Sequence, residues 1–264
     1  MLRSMYSGVS GMKGFQTKLD VIGNNIANVN TIGFKKSTIN FQDLLSQNMS
    51  GSGVNPMQVG LGVQTSAVNV IHTPGSAMTT GVGTDLAIMG DGFFVVQDPN
   101  ATGAAGRYLT RAGNFVVDAQ GDLVTTQGYS VLSSTGNPIK IDPALYDSFN
   151  ITRDGQVWVT PKGGGAETKL TDGLIGISNP PNPTGLRKFG GSLYEMTAAA
   201  GGTTNPSTAA AATSMISAGM LEMSNVDLTE EFTEMIVAQR GFQANSRTIT
   251  TSDEILQEVV NLKR

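Results

Sequence analysis

Both ends of the chain carry apolar residues that recur every seven positions, and this repeat constrains the fold more than any other feature. Near the amino terminus it fills two columns of a heptad and is interrupted only at Gly8. The apolar members are Met5, Met12, Phe15, Leu19, Ile22, Ile26 and Val29. An average spacing of about 3.5 residues is typical of helices that pack side by side. We therefore predict a helix from residue 3 to about residue 30, where Asn28, Asn30 and Gly33 favour its end.

The carboxyl-terminal end repeats this arrangement with a single strong column. Its members are Leu221, Leu228, Met235, Phe242, Ile249 and Leu256. The second column is mostly polar and holds Glu231, Ala238, Asn245 and Ser252. Ser224 or Asp227 suits the N-cap of this helix, because either side chain can accept a hydrogen bond from the first turn. A helix with one apolar ridge and polar flanks is typical of a closely packed helix bundle with one face exposed to solvent.

The two ends differ in charge. Residues 1–36 hold five basic side chains and one acidic one, whereas residues 224–264 hold four basic and seven acidic ones. The simplest interpretation is two solvated helix faces, since an exposed pair of opposite charges contributes only about 0–1 kcal/mol. We therefore expect the asymmetry to set the register and the choice of partner more than the stability.

Between the ends the period of the pattern changes to two, and turn residues recur at short intervals. Asp154-Gly155, for example, predicts a tight hairpin between two apolar strands. We predict an α+β fold in which terminal helices form a coiled-coil-like layer and a central all-β domain resembles a sandwich or barrel. The expected division is a helical domain from residues 1–30 and 221–264, a connector with short extended segments at 31–75, and a β domain at 76–220.

The composition excludes most catalytic chemistry. There is no Cys and a single His, His72, which removes disulfides, thiolate catalysis and paired-His metal sites. Gly81 and Gly83 lack the third glycine of a dinucleotide-binding loop. The segment 118–122 resembles a calcium loop only faintly, and a β-turn is the simpler interpretation. We expect no enzymatic activity, no cofactor and no metal.

Charge and hydropathy also limit the partners. The formal net charge of −4 argues against general nucleic-acid binding, which needs a basic surface. No apolar run approaches the roughly 18 residues of a membrane-spanning helix, so no membrane insertion is expected. The first residues also lack the unbroken apolar core of a cleaved signal peptide.

Each terminal helix is predicted to carry an apolar column that a single copy of the chain would leave partly exposed to water, and self-assembly would bury these columns. The helices can pair with each other and with copies of themselves, and a heterologous interface that does not close produces an open helical filament. The pattern therefore predicts a self-assembling subunit. The alternative is an intramolecular coiled-coil stalk on an adhesin-like β module, which would form a small, defined oligomer.

Three blocks of the sequence carry a family resemblance. They are residues 21–35 (VIGNNIANVNTIGFK), 86–96 (LAIMGDGFFVV) and 223–247 (MSNVDLTEEFTEMIVAQRGFQANSR). In this order they resemble the signatures of the bacterial flagellar rod and hook proteins. The signature positions that we single out are Asn24, Asn25, Asn28, Gly33, Phe34, Asn225, Gln239 and Arg240.

The resemblance implies a location in the flagellum, in the extracellular hook and basal body. The terminal helices would form an inner tube around the export channel, and the β domain would form the outer wall. The chain would be exported unfolded by the flagellar type III apparatus, without a cleaved signal. Phe41 and Leu45 look like the export-gate motif of early substrates, although a short amphipathic turn would present the same pattern. The implied partners are the chain itself, the distal rod, hook–filament junction proteins, the hook cap and the export gate.

Within this family the amino-terminal residues look most like the compact hook subunits of Gram-positive bacteria. A hook is a curved, hollow tube that acts as a universal joint and transmits motor torque to the filament. The alternative is a subunit of the distal rod, a straight drive shaft, which typically carries a longer connector after the first helix. Here only residues 46–60 fill that place, so we predict a hook subunit.

Overall fold

A computed structural model describes residues 2–49, 57–101, 103, 106–163, 166–201, 205–208 and 214–262 of the 264-residue chain. The chain divides into two compact units. The helical unit comprises Met1–Asn28, Lys36–Ile71 and Val226–Arg264. The β-rich unit comprises Val29–Lys35 and His72–Asn225. The predicted α+β class is therefore confirmed, with helices at the two ends of the chain and many short strands between them.

The helical unit contains two long helices and four strands. The helices are α1 (Leu2–Ala27) and α2 (Leu228–Asn261), and the strands are β1 (Ser37–Asp43), β2 (Ser46–Met49), β3 (Met57–Gly60) and β4 (Val63–Val70). Strand β1 pairs antiparallel with β4, and β2 pairs antiparallel with β3. Both β1 and β4 pack against α1. Neither helix of the described chain carries an apolar stretch that would let it cross a bilayer.

The ends of the helices follow local side-chain chemistry. Asp227 is the N-cap of α2, and its Oδ1 accepts a hydrogen bond from the Thr229 backbone N–H at 2.8 Å. Helix α1 ends at Ala27, before the predicted limit, where the Asn28 side-chain amide donates to the Asn24 carbonyl at 2.9 Å. Such local hydrogen bonds compete with continued helix.

The β-rich unit holds the remaining strands. They are β5 (Ala77–Thr79), β6 (Leu86–Met89), β7 (Phe93–Gln97), β8 (Arg107–Thr110), β9 (Phe115–Val117), β10 (Leu123–Thr125), β11 (Ser130–Val131), β12 (Tyr146–Ile151), β13 (Gln156–Pro161), β14 (Thr168–Leu174), β15 (Ile177–Ser178), β16 (Arg187–Gly190), β17 (Leu193–Glu195), β18 (Met215–Ala218) and β19 (Met220–Glu222). An eight-stranded sheet follows the order β16-β17-β8-β7-β11-β10-β9, with β15 also paired to β7. It is open rather than closed, since β16 and β9 are its ends.

Smaller sheets complete the β-rich unit. Strands β12, β13 and β14 form an antiparallel sheet, in which Gly155 takes the positive φ that the hairpin turn requires. Strand β6 pairs with β18, and β5 pairs with β19. Strand β7 is buried on both faces: Phe94 and Val96 belong to the larger hydrophobic cluster, whereas Phe93 and Val95 belong to a second, smaller one.

Candidate functional site

The described part of the helical unit has few fully buried apolar side chains. The described residues include 27 buried apolar side chains, and only Ile22 and Ala238 of these lie in the helical unit. The two helices nevertheless span 26 and 34 residues. Fixing a backbone costs about 1–2 kcal/mol per residue, which apolar burial normally offsets. The two helices are therefore formed in the structure, although the apolar area buried within the helical unit is too small to stabilise them.

Helices α1 and α2 run antiparallel and meet through small and polar residues. A Cβ on Gly11 would lie 2.7 Å from Asn245 Nδ2, and a Cβ on Gly241 would lie 2.5 Å from the Phe15 ring. A Cβ on Gly8 would lie 3.2 Å from Ile249. The gap that Gly8 leaves in the sequence repeat is therefore a point of close helix contact.

The heptad repeats predict that the apolar columns of α1 and α2 form the contact between the two helices, and the structure agrees only in part. On α2 the buried residues are Glu231, Ala238 and Ser252, which belong to the polar column. The apolar column is more accessible: Met235, Ile249 and Leu256 are half-buried, and Leu228 and Phe242 are exposed. On α1 Ile22 is buried, whereas Met5, Met12, Phe15, Leu19 and Ile26 are half-buried.

Two predicted seam residues lie outside the helices. Val29 follows the end of α1, and Leu221 is buried in β19. Both belong to the β-rich unit. Leu221 therefore fits the heptad spacing only by coincidence, because it lies in a strand and the chain between it and the Asp227 cap is not helical.

The helix pair presents a broad exposed surface of large apolar side chains, which we call the apolar helix surface. It consists of Tyr6, Val9, Leu228, Phe232, Ile236, Val237, Phe242, Ile255, Val259 and Val260. Ile236 and Val237 are each 59% exposed. So many exposed large apolar side chains on one helix pair are candidates for contacts with other chains.

A polar junction at the end of α1 joins three elements of the helical unit. The Asn25 amide Nδ2 donates to the Ser37 carbonyl at 2.9 Å, and Asn25 Oδ1 accepts from the Ser37 N–H at 3.0 Å. The same Nδ2 donates to Glu231 Oε2 on α2 at 3.2 Å. Burial raises the pKa of the Glu231 carboxyl, and the hydrogen bond from Asn25 opposes that rise. A buried polar contact between two helices can fix their register, at some cost in stability.

Part of the charge complementarity between the two ends is used within the chain. Lys18 Nζ lies 3.0 Å from Glu234 Oε2, and Lys36 Nζ lies 2.7 Å from Glu230 Oε2. The hydrogen bond to Glu230 raises the pKa of Lys36. Both glutamates are about half exposed, so these pairs support the antiparallel register of α1 and α2 more than their stability.

Four other signature residues make contacts of their own or are exposed. In the β-rich unit, Asn225 Nδ2 donates to Thr73 Oγ1 at 3.0 Å, and Lys188 Nζ lies 4.8 Å from the centre of the Phe34 ring. On α2, Gln239 and Arg240 are exposed, and Arg240 Nη1 donates to Gln243 at 3.3 Å.

Gly33 occupies a position that only glycine fits. Its φ is +66°, and a Cβ would lie 2.5 Å from the Ala112 backbone nitrogen. Its N–H donates to the Glu222 carbonyl at 2.8 Å.

Glu222 itself is the centre of a buried ion cluster that local sequence patterns do not reveal. Its Oε1 lies 2.5 Å from Lys35 Nζ and accepts from the Gly75 N–H at 2.9 Å, and its Oε2 lies 3.0 Å from Arg111 Nη1. The three charged side chains are at most 4% exposed. Burial lowers the pKa of Lys35, and the contact with Glu222 opposes that change.

The two residues of the candidate export motif differ in their surroundings. Phe41 lies on β1, packs beside Phe15 with 6.3 Å between ring centroids, and is 39% exposed. Leu45 lies between β1 and β2 and is 84% exposed. The segment that holds Phe41 is a strand, so the alternative of a short amphipathic turn does not describe it. Among the described residues, no three His, Asp or Glu side chains gather as a metal site would need.

Three family models match successive parts of the chain. Residues 5–35 match the flagella basal body rod protein model, and residues 87–159 match the D1 domain of flagellar hook protein FlgE/F/G. Residues 210–262 match the carboxyl-terminal model of the flagellar basal body rod FlgEFG proteins. None of these models describes an enzyme.

Full-length relatives extend the comparison. The flagellar basal-body rod protein FlgG of Bacillus subtilis (strain 168) is 52% identical over 280 residues, and the alignment covers all of both chains. FlgG of Borreliella burgdorferi is 37% identical over 273 residues, again with full coverage of both. The flagellar hook protein FlgE of the same Borreliella strain is 28% identical over 446 positions with full coverage.

The prediction of a hook subunit is wrong. The rod proteins align with this chain end to end at higher identity than the hook protein, whose alignment is much longer than the chain. The connector also extends beyond the irregular residues 46–60, because the structure pairs β1 with β4 and β2 with β3 between Ser37 and Val70.

Proposed function

The chain belongs to the flagellar rod and hook protein family, and from that premise we propose that it is a subunit of the distal rod, the straight drive shaft of the flagellar basal body. Proteins of this family are structural components of the flagellum and polymerise into its axial structure. The relatives named as rod proteins support the choice of rod within that family.

One observation carries the proposal that this chain acts by self-assembly. Of the 27 buried apolar side chains among the described residues, its helical unit contributes two, and it leaves the apolar helix surface uncovered. Copies packed side by side would bury that surface and supply the missing core, at roughly 25 cal/mol for each Å² of apolar area removed from water. The predicted seam residues that are half-buried or exposed would take part in the same contacts.

A rod must transmit torque without bending, and the helical unit has features that suit this task. Strands β1 and β4 pack on α1, where a Cβ on Gly14 would lie 3.1 Å from the Phe41 ring. Ser10 Oγ accepts a hydrogen bond from the Val63 N–H at 3.3 Å. With the Asn25 junction, these contacts tie α1, α2 and the paired strands into one unit, which favours stiffness once neighbouring copies supply the missing core.

The proposed function also includes export of the subunit before assembly. The type III apparatus would take the chain unfolded, and in that state Phe41 and Leu45 would both be available to the export gate. In the assembled rod, the terminal helices would line the channel. The hook cap and the hook–filament junction proteins were expected for a hook subunit and form no part of this proposal.

Electron microscopy of the concentrated, purified chain tests the proposed function. We expect straight, hollow tubes, since a rod subunit has one preferred packing around the axis. Curved tubes would contradict the rod assignment. A small closed oligomer, or no assembly at any concentration, would contradict self-assembly into a polymer and favour the adhesin-like alternative.

A further inference from the structure

Unsatisfied polar atoms concentrate around one cleft of the β-rich unit. Four buried side-chain atoms of the described residues have no hydrogen-bond partner: His72 Nδ1, Arg107 Nε, Arg111 Nε and Ser214 Oγ. His72 and Arg111 line the same cleft, and Ser214 Oγ would lie 3.8 Å from a Cβ on Gly92, which also lines it. Buried polar groups are nearly always paired, so the two unpaired atoms on residues that line this cleft, His72 Nδ1 and Arg111 Nε, need an explanation.

The cleft has apolar walls and a cationic floor. It measures about 310 Å³ and is lined by Phe93 and by Pro180, Pro181 and Pro183, with Asn179 and Asp91 as its exposed polar residues. The His72 ring stands edge-on to Phe93 at 5.5 Å between centroids. Arg111 supplies the charge: its Nη1 and Nη2 are held by Glu222 and the Gly90 carbonyl, and Nε remains unpaired.

The buried charge beneath the cleft is unbalanced. Lys35 and Arg111 share the single carboxylate of Glu222. Lys188, which is exposed on β16, adds a further cation nearby, and its Nζ donates to the Lys35 carbonyl at 3.2 Å. Buried charges are costly unless they are neutralised, so an anion that enters the cleft would relieve this excess.

We propose that this cleft is a carboxylate-binding site, in which the ligand neutralises the Arg111 side of the ion cluster and contacts the His72 ring. A carboxylate suits the cleft better than a phosphate dianion does. Only one guanidinium lines the cleft, Asp91 at its mouth repels a second negative charge, and the proline and phenylalanine walls fit an apolar stem.

His72 is the single histidine of the chain, so its imidazole gives one unambiguous nuclear magnetic resonance signal. Burial, followed by the charges of Lys35, Arg111 and Lys188, lowers the pKa of His72 to about 4. A bound carboxylate opposes those cations. We therefore expect sodium acetate, added to the full chain at constant ionic strength, to shift the His72 signal saturably and to raise its pKa by about one to three units.

Matched variants locate the ligand. Asp91→Asn removes the acid at the mouth and should bind acetate about threefold more tightly or better. Asp118→Asn removes the same charge from the β9–β10 turn, which does not line the cleft, and should leave the affinity unchanged. Equal affinity for Asp91→Asn and the unaltered chain would overturn the proposal, because the anion would then sit elsewhere.

Further probes identify the source of the carboxylate. Saturable binding of acetate alone supports a free small carboxylate as occupant, whereas binding of doubly blocked glutamate supports an acidic side chain of a protein. A His72 signal that responds to neither probe would overturn the proposal. A response that sodium chloride reproduces, or that only inorganic phosphate elicits, would overturn it as well.

Discussion

Glu222→Gln is expected to lower the free energy of unfolding of the β-rich unit by about 3–5 kcal/mol, the usual cost of breaking a buried ion pair from one side. The variant keeps the size of the side chain but leaves Lys35 and Arg111 buried without their shared counter-charge. Urea unfolding followed by the fluorescence of Trp158, the single tryptophan, measures the effect, since this residue lies on β13 of the same unit. The loss should be smaller at higher pH, because Lys35, whose pKa burial already lowers, can then lose its proton.

Glu195→Gln is the matched control for this variant. Glu195 also pairs with an arginine in the β-rich unit, but the Arg187 and Glu195 side chains are 68% and 37% exposed. Its replacement should cost less than about 1 kcal/mol. If both variants lost the same stability, the buried cluster would not have the importance that its geometry implies.

The double variant Ile236→Glu, Val237→Glu is expected to prevent polymerisation while the β-rich unit stays folded. Both side chains belong to the apolar helix surface and are 59% exposed in the subunit, so the subunit tolerates the change. In a packed polymer the same charges would be buried at a cost of several kcal/mol, which raises the concentration needed for assembly by about a hundredfold or more. Sedimentation of the polymer over a range of protein concentrations measures the lowest concentration at which the chain assembles.

The control for assembly uses the same chemistry in the β-rich unit. Val116→Glu, Leu145→Glu replaces two apolar residues that are 52% and 59% exposed. This variant should polymerise at close to the concentration of the unaltered chain. If the control lost assembly and the helical variant kept it, the contacts between copies would not be made by the apolar helix surface.

Local patterns were sufficient for the two helices and for one hairpin of this fold. The heptad repeats predicted both helices, Asp227 was one of two N-caps proposed, and Asp154-Gly155 marked the turn of the β12–β13 hairpin. These features depend on residues within a few positions of each other, where propensity and capping act directly.

The packing faces and the ion cluster could not be predicted in the same way. An apolar column shows which side of a helix avoids water, but close approach decides which side meets its neighbour, and Gly11 and Gly241 permit it on the small, polar side. Lys35 and Glu222 are separated by 187 residues, so only the tertiary fold brings them together. The pairing of Ser37 with Val70 likewise joins residues far apart in the sequence, so residues 46–60 alone do not show the extent of the connector.

Hydrogen exchange of the two helices, in monomer and in polymer, tests most directly the claim that copies of the chain supply the missing core. The account predicts that amides of α1 and α2 exchange rapidly in dilute monomer and slow by about a hundredfold or more in the polymer, whereas β7 and β8 stay protected in both. Strong protection of α1 and α2 in the monomer would contradict it, because the helical unit would then be stable without its neighbours.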